Sequence, residues 1–320
     1  DNEYIRRKFV DTAFNVDRIQ FTADRPMKPF IKDVSTDLDT SAALRQVVGG
    51  ATQALLVQTP YPILSTSAGK ALRKVRDQHP KIEFTLSTNS LASIDHAFVY
   101  ALAFKRKRRN VEELGVNIYE LKNNPSDAHL FVPDYPSLAA ERVQAPQNLG
   151  VALADTMTDL FVDETAGPRL SIHAKSMVVD ERIAVIGSHN FDPRSRDINT
   201  ENTVIIWDRP VAKALANEIR LATKPKNSWL IAKAEKVPLI SHFTNAIGLV
   251  SRALPIFDLW PFRWTSSFEL RPGKQVVSRD HPDFYKNYRD VGQFPNMGLG
   301  LKQIEVHLIS AFGSVAEPFM

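Results

Sequence analysis

Residues 53–121 switch repeatedly between two hydrophobic periods, and that alternation constrains the fold more than any other feature of the chain. "QALLVQTPY" (53–61) is a short apolar run of the kind a buried strand shows. "TSAGKALRKVRDQ" (66–78) has helical spacing, and "KIEFTLSTN" (81–89) alternates strictly, as a strand does. "SIDHAFVYALAFKRKRRNVEEL" (93–114) predicts a long helix with Ser93 as N-cap and Gly115 as its stop, followed by a strand at "VNIYEL" (116–121). Strand and helix in turn predict an α/β fold with a mostly parallel sheet flanked by helices.

The rhythm breaks at 123–169, which carries Pro125, Pro133, Pro136 and Pro146 and is expected to be a long insertion. Beyond it come a strand at 202–207 and a helix at 210–223. These limits suggest an N-terminal linker region at 1–39, one domain at 40–225 and a C-terminal extension at 226–320. Within that extension residues 237–264 are apolar and aromatic. Val237 to Ser251 is short for a membrane span, and Pro255 and Pro261 break up the remainder of the segment. Trp260, Phe262 and Trp264 beside Arg263 suit a membrane interface as well as they suit a packed hairpin.

Of the 320 residues, 43% are hydrophobic and 24% charged, which argues against a disordered chain. Cysteine is absent, so disulfides and thiolate metal sites are excluded. A net charge of +4 suits phosphate-bearing partners without choosing between lipid and nucleic acid. "KRKRR" (105–109) reads as a solvated helix end or as a contact for anionic headgroups or nucleic acid. The chain opens at Asp1 with no charged-then-apolar leader, which suggests that an upstream part was removed or lies outside this sequence.

The chemistry concentrates in "LSIHAKSMVVDERIAVIGSHNFDPRS" (170–195). If "LSIHAKSMVV" is a strand, His173 and Lys175 project from the same face. Asp180-Glu181-Arg182 turns the chain, "IAVIG" returns, and Ser188 and Asn190 repeat the i, i+2 spacing. Imidazole, ammonium, hydroxyl and amide together suit a phosphate. The imidazole can attack phosphorus or move a proton, the lysine neutralises oxygens, and the other two donate hydrogen bonds. No cluster of carboxylates or histidines has metal-ligand spacing, so neither metal nor cofactor is expected. His79 and Lys81 also read H-x-K, but Pro80 separates them, Leu86 stands where the aspartate would be, and no Gly-Ser-x-Asn comes after them.

The full string, His173-x-Lys175-x4-Asp180-x6-Gly187-Ser188-x-Asn190, resembles the HKD signature of the phospholipase D superfamily. "NFDPRS" (190–195), "NTEN" (199–202), "TLSTNSLASID" (85–95) and "LGVNIYELK" (114–122) are similar to bacterial cardiolipin synthases and related phospholipases. The resemblance covers about residues 15–225, and it is to a C-terminal half carrying the second of two motifs. It implies a phospholipase D-like domain and metal-independent phosphatidyl transfer through a phosphohistidine, with His173 as general acid and later base. Lys175, Ser188 and Asn190 would hold phosphoryl oxygens, Asp180 would fix the hairpin and the lysine region, and Glu201 would orient a histidine, often that of the opposite half. The implied partners are an anionic phospholipid such as phosphatidylglycerol, a membrane surface, and a missing N-terminal half or second subunit with another HKD motif. Nucleic acid is the weaker fit. The alternatives are a phospholipase D hydrolase, including a secreted toxin or virulence factor, a nuclease acting as a one-motif dimer, and an inactive half that only binds lipid or a partner. The implied location is the periphery of a bacterial inner membrane, or a secreted or periplasmic one if an upstream part bore a signal.

Overall fold

The computed structural model describes residues 2–30, 40–138, 169–235 and 264–296. A short helix α1 (Asn2–Ile5), strand β1 (Ile19–Ala23) and helix α2 (Thr40–Gly49) come first. The alternation at 53–121 becomes β2 (Ala54–Gln58), α3 (Thr66–Gln78), β3 (Glu83–Asn89), α4 (Ala97–Arg108, continued by a π-helical turn at Arg109–Glu113) and β4 (Val116–Leu121). α3 starts where Ser65 accepts a hydrogen bond from the Ala68 N–H at 3.1 Å. α4 starts at Ala97, later than the expected Ser93. Ser93 does not cap it; its Oγ accepts from the Ser90 N–H at 2.9 Å and donates to the Leu121 carbonyl at 3.1 Å, closing a turn instead. Gly115 takes the left-handed conformation (φ +64°) that stops the helix.

Downstream come α5 (Ala128–Phe131), β5 (Ser176–Val179), β6 (Ile183–Gly187), α6 (Pro193–Asp197), β7 (Asn202–Trp207), α7 (Arg209–Ala222), β8 (Ser228–Lys233), β9 (Thr265–Leu270), α8 (Phe284–Asn287) and β10 (Tyr288–Gly292). Among the described residues the strands form one ten-stranded sheet, ordered β1-β7-β6-β5-β2-β3-β4-β8-β9-β10. The sheet is mixed and flanked by helices, as expected, but not mostly parallel. Among these strands only β2–β3 and β3–β4 pair in parallel. After the long connection the chain returns as three sequential antiparallel strands, β5 and β6 joined by a tight turn at 180–182 and β6 and β7 by a longer connection that carries α6. The sheet also runs past both expected domain limits, with β1 inside the supposed linker and β8–β10 beyond 225. Residues 139–168 of the insertion and 237–263 of the apolar segment lie outside the described residues. Among the described residues, no helix is long and apolar enough to cross a membrane.

One face of the sheet packs Leu55, Phe84, Met177 and Val179 against Leu44 and Val47 of α2 and Leu72 and Val75 of α3. The other face packs Leu56, Val178 and Ala184 against Ala212, Ala216 and Ile219 of α7, whose small residues let the helix lie close. The basic run 105–109 is absorbed into this framework. Lys107 is buried, 2.6 Å from Glu120, and Arg109 donates to the Leu64 carbonyl at 2.6 Å. Arg108 lies over the Trp264 ring at 3.8 Å and pairs with Glu112 at 3.2 Å. These residues are neither a bare solvated face nor an open basic patch.

Candidate active site

The parallel strands β2, β3 and β4 point their carboxyl ends to one edge of the fold, where α/β sheets place their binding crevices. Antiparallel pairing of β2 with β5 sets Gln58 opposite Ser176, so the segment entering β5 arrives at that edge. This segment carries His173 and Lys175. It is not a strand before Ser176, contrary to the expectation from the sequence. The reason is Asn89: its side-chain amide donates to the Ile172 carbonyl at 2.9 Å, and its side-chain oxygen accepts from the Ile172 N–H at 2.8 Å. One side chain thereby takes the place of a backbone partner at Ile172, while the Lys175 carbonyl still accepts from the Gly187 N–H at 3.1 Å.

The expected juxtaposition survives this change. The Lys175 ammonium lies 3.1 Å from Nδ1 and 3.3 Å from Nε2 of His173 and donates to the His173 carbonyl at 2.9 Å. Its pKa is lowered by partial burial, against the opposing pull of Glu201, Asp95 and Asp192. An ammonium that is desolvated and short of close counter-charge suits an incoming anion.

Asp180 sits at the far end of the β5–β6 hairpin and does not touch the lysine. Its carboxylate accepts from the backbone N–H groups of Thr52, Gln53 and Ala54 at 2.9, 2.7 and 2.8 Å, and from the Thr52 hydroxyl at 2.8 Å. Partial burial pushes its pKa up, but these hydrogen bonds outweigh burial and hold it below the ordinary value. Asp180 and Glu181 both have positive φ (52° and 50°), the geometry of a tight hairpin turn. Asp180 therefore clamps the hairpin to the start of β2 and leaves the lysine region untouched.

At the site end, Gly187 has no room for a side chain. A Cβ there would come within 2.3 Å of the Asn202 carbonyl and 2.6 Å of the Thr203 hydroxyl. The Ser188 hydroxyl donates to Glu201 in a short contact and accepts from the Asn202 N–H at 3.0 Å. It is thus committed within the protein rather than offered to a ligand. Glu201 is buried and, among the described residues, makes no hydrogen bond to His173; besides Ser188 it accepts from the Asn199 amide at 3.1 Å. Asn190 is held by its backbone, whose N–H donates to Ser195 Oγ at 3.0 Å and whose carbonyl accepts from Thr59 Oγ1 at 2.8 Å. Its side-chain oxygen is buried without a hydrogen-bond partner among the described residues. The structure thus gathers His173, Lys175, Ser188, Asn190 and Glu201 at one edge of the sheet and sends Asp180 to the other.

Three features escaped the sequence reading. Tyr61 meets the His173 ring edge-on at 6.4 Å, and its hydroxyl donates to both oxygens of Asp95 at 2.8 and 2.9 Å. Burial and then that hydrogen bond raise the Tyr61 pKa. His189, the unspecified position in Gly-Ser-x-Asn, is buried, lies 3.4 Å from Ser41 Oγ, and accepts from the Phe191 N–H at 2.9 Å. Burial lowers its pKa to about 4, so it is neutral near pH 7. Asp24, just after β1, takes the Lys28 ammonium at 2.6 Å and the N–H groups of Thr40 and Glu201 at 3.0 Å each. It ties the N-terminal strand to the back of the site. Among the described residues, no three histidine, aspartate or glutamate side chains converge as a metal ion would require.

A family model described as "Cardiolipin synthase, PLD-like domain" matches residues 44–221. Cardiolipin synthase C of Escherichia coli K12 is 29% identical over 232 residues, 67% of this chain and 42% of that protein. An uncharacterized protein of Helicobacter pylori J99 is 28% identical over 213 residues, 62% of this chain and 34% of that one. The chain therefore spans less than half the length of these relatives. Among solved structures, Nuc of Salmonella typhimurium, a phospholipase D family member, aligns with a TM-score of 0.38 at 13% identity, covering 63% of this chain and 91% of that one. With more than half of its length matched to the family model, the segment that carries the His173–Lys175 pair included, this chain belongs to the cardiolipin synthase, phospholipase D-like family.

Proposed function

We propose that this chain supplies one half of a metal-independent phosphatidyl-transfer site of the cardiolipin synthase kind, working through a phosphohistidine. The observation that carries the reading is the His173–Lys175 contact at 3.1 Å, at the crevice edge of a cardiolipin synthase-like domain. A histidine nitrogen attacks the phosphorus of an anionic phospholipid such as phosphatidylglycerol. A P–N bond forms, the P–O bond to the leaving glycerol breaks, and the departing alkoxide takes a proton from a second imidazole. An acceptor hydroxyl then gives its proton to that imidazole, attacks phosphorus and breaks the P–N bond. We assign the acid and later base role to His173. Lys175 neutralises the non-bridging oxygens, and the Asn190 amide serves as a donor beside it. Ser188 and Glu201 act as a buried pair that sets the loop.

His173 cannot be nucleophile and acid in the same step, and the chain contains one H-x-K-x4-D string. The second imidazole therefore comes from an upstream half or another subunit. The test is an assay on phosphatidylglycerol vesicles with the 320-residue chain alone and with a partner bearing a second motif. Cardiolipin should form only in the combined sample, should persist with EDTA, and should vanish with His173→Ala. Release of phosphatidate without cardiolipin would favour the hydrolase, and cleavage of an oligonucleotide the nuclease. Turnover by the strictly monomeric chain, unaffected by His173→Ala, would overturn the proposal.

A further inference from the structure

Beside the site an apolar cavity of about 140 Å³ opens between the sheet and two helices. Leu55 and Phe84 form its floor, Leu44 and Val48 of α2 one wall, Ala71 and Leu72 of α3 the other. It sits on the core side of the sheet, yet it is not filled by side chains. Leaving that much apolar volume empty forfeits the dispersion contacts of its walls, and a cavity of this size takes a ligand of about six carbons.

Its polar end coincides with the candidate site. Thr59, which holds the Asn190 carbonyl at 2.8 Å, lines it, and so do His189 and Phe191, the neighbours of Asn190 in the chain. His189 is neutral near pH 7 and brings no charge to the cavity. Asp192 also lines this end, but its carboxylate is turned to cap α6, accepting from the Ser195 N–H at 2.7 Å. Two cations, Arg45 and Arg196, stand among the lining residues; Arg196 is paired with Asp197 and also reaches Ser67 at 3.1 Å, while Arg45 is exposed. An apolar slot with the Arg45 guanidinium among its lining residues, joined to a phosphate-suited edge by one hydrogen bond, matches an amphiphile with an anionic head.

We propose that this cavity holds the first part of an acyl chain of the phosphatidyl donor, so that the substrate is gripped by its tail as well as its phosphate. The inference rests on the phosphatidyl reading, and its test separates the two.

Binding of dihexanoyl phosphatidylglycerol, below its micelle concentration, is compared by calorimetry with that of deacylated glycerophosphoglycerol. The acylated ligand should bind the 320-residue chain at least about tenfold more tightly, because each buried CH2 contributes roughly fourfold. Ala71→Phe and, independently, Ala68→Leu fill the slot from α3; each folded variant should bring the ratio close to one. An unchanged ratio in both folded variants, or a ratio of one in the original chain, overturns the proposal. If glycerophosphoglycerol binds neither protein while hexanol still raises the Tm of the original chain and not that of Ala71→Phe, the cavity stands as an alkyl site and the phosphatidyl reading falls instead.

Discussion

At its turn the β5–β6 hairpin is closed. Asp180 takes four hydrogen bonds from β2 and its approach, and its carboxylate is spent on holding strands together. At the other end of the same hairpin, about 13 Å away along the strand, Ser188 and Glu201 bind each other but two polar side chains are underused. Among the described residues the Lys175 ammonium touches only its neighbour His173, and the Asn190 side-chain oxygen is buried without a partner. One sequence string supplies both ends. The contrast separates a residue spent on holding strands together from residues left short of partners, a distinction that the spacing of the string does not reveal.

His173→Ala tests that contrast most sharply. In the assembled two-motif enzyme it should cut turnover by about a hundred- to ten-thousand-fold. Urea denaturation of the 320-residue chain should shift by less than about 0.5 kcal/mol, because the side chain is exposed. A large stability loss would mean that the open end is structural after all.

Asp180→Ala should behave in the opposite way. Three backbone N–H groups would lose a charged acceptor, at a cost of about 3 kcal/mol. The kcat of the protein that remains folded should change little. A kcat collapse with unaltered stability would erase the difference between the two ends.

Acid sharpens the comparison from the site side. The His189 pKa is about 4 in the fold against an ordinary 6.5. Between those values the unfolded chain binds more protons than the folded one, so stability rises with pH across this window and falls on acidification. From pH 7 to pH 5 the chain should lose about 2 kcal/mol through this group, and His189→Asn should not show that loss. Asp180 titrates lower: its depressed carboxyl stabilises the fold above its unfolded pKa, and that contribution disappears as pH falls through the folded one. Denaturation curves of the original chain and the two variants, run at both pH values, separate the contributions.

Tyr61→Phe should give the smallest effect. It removes one hydroxyl from Asp95 at the open end, worth about 1 kcal/mol. Turnover should fall by less than in His173→Ala, because the phenol touches the imidazole only edge-on.

The parallel core was readable because its sequence is consistent at every level. Leu55, Phe84 and Val116 keep strand periods, and α3 begins at a serine cap and ends where its apolar spacing ends. The outer strands were not readable for a physical reason. β9 buries Thr265, Ser266 and Ser267, so its buried positions carry hydroxyls where a periodicity search looks for carbon. β1 displays Ile19 and Phe21 to solvent and hides Thr22, the reverse of the usual pattern. The site was legible as a set of residues but not as geometry. His173 and Lys175 meet, though by way of the Asn89 bracket and not by strand alternation, and nothing in the string indicates that Ser188 is already bound to Glu201. His189 was passed over because the motif leaves its position free.

The strand order also bears on how such a chain is made. β2 must pair with β5, and β1 with β7, yet residues 59–175 and 24–201 are synthesised in between. At roughly 5–20 residues per second, a ribosome leaves the outer edge of β2 uncovered for on the order of ten seconds. The trio β2–β3–β4 can assemble during that time, but it presents a row of unpaired backbone N–H and C=O groups to every neighbouring nascent chain. The finished sheet encloses β2 on both sides, but while residues 121–176 are being made only β3 can cover it.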